Sequence, residues 1–504
     1  MKKIKIVAML FASLWLSSCE KYLDINQDPS NPQVAEGHVL LPPLLQSMVR
    51  GEVFDARYVG QFIQNWQSSG GGNVWDRHGY VAGSDAGGEK WRQHYFALGQ
   101  NIVLQIRDGQ EKEKWDYSGV AKAIQAWSWQ STTDYHGEMI LKQMFEPNRY
   151  VFDFDKQEDI YAEVVRGCND ALADLARTDG LVSTTSLARG DLVYKGDRTK
   201  WIKFVYGILA RNANHLSNKS TYNPDKVIEF VDKSMASNAD NFNVPHNGTS
   251  TADGNFLGPT RNNMGSYRQS AYTLSLLNGT VFKDVRDPRL ALMLTASVDG
   301  NYRGVNTTFG DPNAGTAATR IATLWNTVPG AATTTLDGKY LFTDKADYPL
   351  MTYFELQFIK AEALFKKGDR AKALEAYKNG ITAHLAYTRA TAKDQTDYLA
   401  SAAVVNVAAD LKLSDIMLQK YIAMWGHGCL ETWTDMRRYN YSNEVYTGFT
   451  LPITTQLSAD NGGKPVQRVR PRFNSEYVWN RNSLDVIGGN NFDYHTYEMW
   501  FTKK

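Results

Sequence analysis

The chain has 504 residues, a formal net charge of +1 and three cysteines. That balance lacks the basic excess of a nucleic-acid binder, and three cysteines over this length cannot make a disulfide framework. Thirteen Trp, 27 Tyr and 21 Phe beside 39 Gly predict a large core of helices, joined by long structured loops that carry aromatic rings.

Met1-Lys2-Lys3-Ile4-Lys5 is a short basic opening. Ile6 to Leu16 is apolar except for Ser13. That run is too short to cross about 30 Å of hydrocarbon as a helix and fits the apolar region of a secretory signal. Leu16-Ser17-Ser18-Cys19 follows, which resembles a bacterial lipobox with Cys19 as the lipidated first residue of the mature chain. An ordinary signal peptide with a chance cysteine is the plainer alternative. Removing Lys2, Lys3 and Lys5 from a net charge of +1 leaves a mature chain near −2. Cys168 and Cys429 fall in helical patterns and read as buried apolar positions.

Residues 19–35 read as an extended tether. Asp24-x-Asn26-x-Asp28 imitates the start of a calcium loop, but Pro29 stands where glycine is needed and Ala35 where a glutamate is needed. An EF-hand is therefore excluded, and no other metal spacing is present. Residues 88–145 carry Trp91, Tyr95, Leu98 and Ile102 at near-helical spacing, and Val120 to Trp129 continues the pattern. Helices are also predicted over Asp159–Ala176 and Lys200–Leu216, the latter with Trp201, Phe204, Ile208 and Leu216 on one side. Pro224 reads as a first-turn proline of a helix reaching about Met235.

The clearest internal pattern is 361–381, which looks like a tetratricopeptide hairpin. Gly368 lets one helix stop and Asp369 caps the next. Ala363 and Ala373 are small where helices cross, with Leu374, Tyr377 and Ile381 as the buried stripe. One hairpin cannot bury its own face, so neighbouring helices must complete the stack. Ser414 to Arg438 forms a last helical pair, broken at Gly426-His427-Gly428. The stretches 66–88, 245–270, 297–350 and 440–504 are too long for simple connectors, so function is expected there.

Several segments resemble the SusD/RagB family. These are Asp24-Ile25-Asn26 through Pro32, Tyr117 to Ala123, Thr133-Asp134-Tyr135-His136-Gly137-Glu138, and Asp287-Pro288-Arg289-Leu290. Pro349 to Glu355 running into Ala361-Glu362-Ala363 is a further one, as are Gln419 to Ala423, Glu431 to Arg438, and Arg470-Pro471-Arg472-Phe473 with Ser475-Glu476. Glu138 stands where the family pattern has Asp, and Met139-Ile140-Leu141 replaces its proline-containing continuation. The resemblance implies a mainly α fold of tetratricopeptide-like hairpins with large loop-rich insertions and little β. It implies a signal peptide over 1–18, a lipidated tether over 19–35 and one domain over 36–504. It implies a partner, a SusC-like TonB-dependent transporter, to which glycans or peptides are delivered. Glu20 and Asp24 after Cys19 resemble the surface-export signal of Bacteroidetes lipoproteins, so the expected place is the outer membrane, lipid-anchored and surface-facing. By themselves the motif residues read blandly: Thr133-Asp134 as a helix C-terminal turn, Asp287-Pro288 as a turn, and Arg437-Arg438 as a solvated face or structural salt bridge.

A neutral sugar offers an apolar ring face and a rim of hydroxyls. In the 66–88 loop, Trp75 is the candidate platform and Asn73, Asp76 and Arg77 the candidate hydroxyl partners; Tyr302 and Trp325 are candidates in 297–350. On this reading Trp75→Ala weakens binding with little change in stability. Plain packing under a loop is the competing account of each ring, and a peptide ligand stays open. No cofactor is implied. An enzyme is the first rival reading, but HExxH, GxSxG, a P-loop and Cys/His metal clusters are all missing. A tetratricopeptide protein-interaction scaffold is the second.

Overall fold

A computed structural model describes residues 35–331 and 338–504. Cys19 and all of the tether except Ala35 lie outside the described residues. The fold is mainly α, as expected. In chain order it runs α1 (Gly37–Phe62), β1 (Trp66–Ser68), α2 (Gln100–Glu111), α3 (Trp115–His136), α4 (Gln157–Ala176), α5 (Arg198–His215) and α6 (Pro224–Lys233). Then come β2 (Phe242–Val244), β3 (Tyr267–Gln269), β4 (Tyr348–Met351), α7 (Tyr353–Lys367), α8 (Arg370–Tyr387), α9 (Leu413–Met424) and α10 (Cys429–Arg438). Helices pack as consecutive pairs, α3 on α4, α5 on α6, α7 on α8, and α9 on α10. Among the described residues the strands form two short antiparallel ribbons: β1 with β3, Trp66 opposite Gln269, and β2 with β4. One apolar cluster runs from Leu41 to Val469. No helix among the described residues is long and apolar enough to cross a membrane.

The predicted hairpin is α7–α8. Gly368 ends α7 at φ +92°, and the Asp369 side chain accepts from the Lys372 amide. The tight crossing lies at Gly380, where a Cβ would come within 2.8 Å of the Phe358 ring. Ala373, Tyr377 and Ile381 are fully buried, but Leu374 only partly. The helical stretch expected over 88–145 is a short helical turn (Glu89–Arg92), a π-helical stretch (Gln93–Gly99), α2 and α3, broken at 112–114 and ended by Gly137. Helix α1 was hidden by Pro42 and Pro43, which remove two amide donors in its second turn. It forms because Leu41, Leu44, Leu45, Met48 and Val49 are all buried along one side, each contributing about 1.5–3 kcal/mol. Cys168 and Cys429 are buried and unbonded.

The family-like motifs converge inside the helical stack as a buried ionic network. Arg438 on α10 grips Glu362 of α7 (Nη1–Oε1 2.7 Å, Nη2–Oε2 3.0 Å) and Asp435 (2.5 Å). Lys420 on α9 bridges Asp435 (2.7 Å) and Glu431 (3.2 Å). Arg211 on α5 pairs with Glu355 of α7 (Nη2–Oε2 2.6 Å). His215, one α5 turn later, lies between Glu431 (3.0 Å) and Asp134 (3.2 Å), and the Tyr161 hydroxyl donates to Asp134 (2.5 Å). The solvated-face reading of Arg437-Arg438 is therefore corrected to the structural one. Both side chains are buried, and Arg437 donates to the carbonyls of Asp134 (2.7 Å) and Gln467 (2.9 Å). Asp287 and Arg289, on either side of the Pro288 turn, likewise form a buried pair at 2.6 Å.

Burial alone would lower the His215 pKa, but Glu431 and Asp134 outweigh it and push it up to about 9. A folded pKa above the unfolded value of about 6.5 gives stability that is complete below that value and lost as pH rises through about 9. Thermal stability is expected to fall from pH 7 to 9.5 by an amount on the order of 3 kcal/mol. His215→Asn should flatten that slope; an equal slope in the variant would assign it to another group.

Candidate functional site

The loops that the helices carry meet at the end of α1 and α3. Thr133-Asp134-Tyr135-His136-Gly137-Glu138, the last turn of α3 and its exit, fixes one wall. The Thr133 hydroxyl donates to the Gly137 carbonyl (2.7 Å). Gly137 stands at φ +93°, where a Cβ would fall 2.8 Å from Arg468 Nη1, so glycine is required twice over. The space it leaves admits Arg468, which pairs with Glu138 and donates to the Tyr494 hydroxyl (2.9 Å). The Val469 amide donates to the Tyr135 carbonyl (2.9 Å), and His136 Nδ1 meets the Val469 carbonyl (2.9 Å). Segment 466–495 is thus pinned along the α3 terminus.

The facing wall is the loop after β1. Asn73 Oδ1 accepts from the amides of Trp75 (2.8 Å) and Asp76 (3.0 Å), and its Nδ2 donates to Gln61 Oε1 (2.7 Å). Trp75 is 7% exposed, with its ring stacked on Tyr58 at 4.2 Å. Arg77 Nε donates to the Gln456 carbonyl (2.9 Å). Asp76 is fully buried; desolvation lifts its pKa to about 6, against the nearby Gly72 and Thr308 amides, although neither oxygen reaches hydrogen-bonding geometry. Asp85 closes the far end, accepting from the Asn474 amide (2.9 Å) and pairing with Arg472 (2.7 Å).

Between these walls lies a groove of about 260 Å³. Tyr80, Phe473, Tyr477 and an edge of Trp75 give it aromatic surface; Arg470, Arg472, Arg481, Asn490 and His495 give it polar surface. Arg470 lies over the Tyr80 ring at 3.9 Å, and the Phe473 and Tyr477 rings are near-parallel at 5.7 Å. Desolvation, helped by the Arg470 charge, lowers the His495 pKa to about 4, so its ring is neutral at neutral pH. A mix of flat rings and fixed donors suits a ligand with apolar faces and polar edges. An adjoining cavity of about 540 Å³ shares Arg472 but is lined chiefly by Trp91, Tyr95, Phe96, Ile140, Met144, Phe145 and Phe152. It is larger, yet its one carboxylate, Glu476, is occupied by Trp91 Nε1 (3.1 Å) and Asn480 Nδ2 (3.0 Å), so it offers hydroxyls little.

Of the six ligand-contact residues expected from sequence, only Trp75 lines the groove. Asn73, Asp76 and Arg77 brace its wall from behind. Trp325 is 7% exposed and donates Nε1 to the Leu257 carbonyl (2.8 Å). Tyr302 is half-buried with Arg286 over its ring at 5.2 Å. The two expected loop regions do meet: a Cβ on Gly71 would lie 2.3 Å from the Gly310 amide nitrogen, and the Asp311 amide donates to the Ser69 carbonyl (2.9 Å). Sequence reasoning missed Tyr80, Arg470, Arg472, Phe473, Tyr477 and Arg481 as lining. The available signal was a dense run of arginines and aromatics in a loop-rich segment, with nothing to show what it faces.

A family model described as starch-binding associating with outer membrane, SusD-like, matches residues 29–461. The chain belongs to the SusD-like family. Solved structures agree on the fold. A SusD/RagB family protein from Bacteroides thetaiotaomicron has a TM-score of 0.72 at 21% identity, covering 93% of this chain and 99% of its own. A protein described as chitin-binding gives 0.72 at 20% identity with the same coverage. A SusD homolog from Bacteroides fragilis gives 0.69 at 19% identity, covering 94% and 100%. No curated protein matches the chain. For this SusD-like protein the family's description is one of carbohydrate binding at the outer membrane.

Proposed function

We propose that this protein is a cell-surface nutrient-binding lipoprotein that captures oligosaccharides and passes them to a SusC-like TonB-dependent outer-membrane transporter. The carrying observation is the groove itself, aromatic on its flat sides and polar on its rim, in a chain of the SusD-like family. Residues 1–18 direct export, Cys19 takes the lipid, 19–35 spans the gap to the membrane, and 36–504 binds. Several acyl chains on one cysteine, each CH₂ contributing about 0.8 kcal/mol, hold such a domain firmly. In the groove, sugar rings lie against Tyr80, Phe473 or Tyr477 while hydroxyls donate to Asn490 Oδ1 and accept from Arg472 and Arg481. Trp75 backs the platform; Asn73, Asp76 and Arg77 keep its loop in shape; Tyr302 and Trp325 order the neighbouring loop that locks at Gly71–Gly310.

The reading is one of binding without turnover. Glycoside hydrolysis uses two carboxyl groups roughly 5–10 Å apart across the scissile bond, and among the described residues no Asp or Glu lines the groove. The test is an array of glycans and peptides probed with a chain beginning at Glu20, which keeps every described residue. Retention of oligosaccharides, released without cleavage, is expected. Retention of peptides alone would replace the saccharide with an oligopeptide, and cleaved products would replace the binder with an enzyme.

A further inference from the structure

We propose that the groove selects acidic saccharides, those bearing uronate carboxylates or sulfate esters; this rests on the saccharide-binding reading above. Arg468, Arg470, Arg472 and Arg481 all line it, and among the described residues no carboxylate does. Two of the four are neutralised from outside, Arg468 by Glu138 and Arg472 by Asp85 at 2.7 Å. The other two are not.

Arg470 has only neutral partners. It donates to the Tyr477 hydroxyl (3.1 Å) and to the carbonyls of Gly489 (3.0 Å), Asn491 (2.6 Å) and Phe492 (2.6 Å). These dipoles fix the guanidinium without cancelling its charge, and its buried Nε has no hydrogen-bond partner. Arg481 is exposed at the rim, and its side chain makes no ion pair or hydrogen bond among the described residues. A guanidinium offers a planar fork that matches a carboxylate or a sulfate with two parallel hydrogen bonds. The four Nη hydrogens of Arg470 are committed to the Tyr477 hydroxyl and the three carbonyls, so it lends charge and not a fork, whereas Arg481 keeps a free fork at the rim; together, beside aromatic faces, they present the complement of a sugar ring that carries an anion. Arg470 and Arg472 belong to the segment that resembles the family, whereas Arg481 lies beyond it, so Arg481 is the residue that would set this chain's own preference.

The experiment is calorimetric titration of the chain beginning at Glu20 with matched pairs: an oligogalacturonate against its methyl ester, and a sulfated chondroitin oligosaccharide against its desulfated form. In at least one pair the acidic member is expected to bind tenfold tighter or more. That advantage should shrink as salt rises from about 0.05 to about 0.5 M, because rim charges are screened. Arg481→Ala should remove most of it, lowering the affinity of the acidic member far more than that of its neutral counterpart, with the melting temperature unchanged. The arm that responds tells carboxylate from sulfate. Equal binding within both pairs, or an advantage that survives in both Arg481→Ala and Arg481→Glu, overturns the acidic preference and leaves the saccharide reading standing. Absence of saccharide binding in every arm overturns that reading and this inference with it.

Discussion

Arg438→Ala is expected to destabilise the protein by about 3–5 kcal/mol, the cost of removing one partner from a buried ion pair. The Arg438 and Glu362 side chains are both wholly shielded from solvent. Burial by itself would raise the Glu362 pKa, but the Arg438 charge reverses this and holds the carboxyl well below the usual range. Deleting the guanidinium leaves Glu362 without its counter-charge in the interior, takes one of two cationic partners from Asp435, and removes a fork between α7 and α10. Denaturation followed by urea should show a lower midpoint for the single variant. The double variant Arg438→Met/Glu362→Leu should recover much of the loss, because it removes the charges together with their desolvation cost. A single variant within about 1 kcal/mol of the parent would show that water or neighbouring groups compensate Glu362 without the arginine.

Trp75→Ala is expected to cost about 3–5 kcal/mol, the range for emptying a buried tryptophan site. This reverses the effect anticipated from sequence, where the ring was a platform on a loop and its loss touched binding alone. The ring is 7% exposed, stacks on Tyr58 at 4.2 Å and meets Phe62 at 6.0 Å, so most of its surface is committed to the core. Trp75→Phe keeps an aromatic face against Tyr58 and should stay within about 1.5 kcal/mol of the parent. Melting curves and ligand affinity measured on both variants separate the two parts of the ring. Lost affinity with an unshifted melting curve in Trp75→Ala would place the ring in the ligand's path instead.

The helical frame was legible where local chemistry declares itself. Gly368 and Asp369 mark the α7–α8 turn unaided, and Pro224 marks the start of α6. Helix α1 was not legible, because Pro42-Pro43 argues locally for a break and only the buried stripe around it argues otherwise. The charged motif residues were visible as a pattern but not as an interior. Arg, Lys, Glu and Asp are almost never fully buried unless paired, and Arg438 finds Glu362 76 positions away. The aromatic candidates failed to assemble for the same reason turned round. Trp75 and Trp325 look like platforms in a glycine-rich loop until Tyr58 and the Leu257 carbonyl are seen to cover them. Nothing local to Tyr80 or Arg470 says that they face each other.

The two walls of the groove are joined by the Asn474 amide donating to Asp85 across 389 positions of chain. Contacts that far apart in sequence form late, after the intervening helices have shortened the path between them. Until residues 466–495 dock, the loop that carries Asp85 faces no second wall. The groove is therefore completed in one step, when the C-terminal segment docks, and a chain ending before that segment would lack half of its lining.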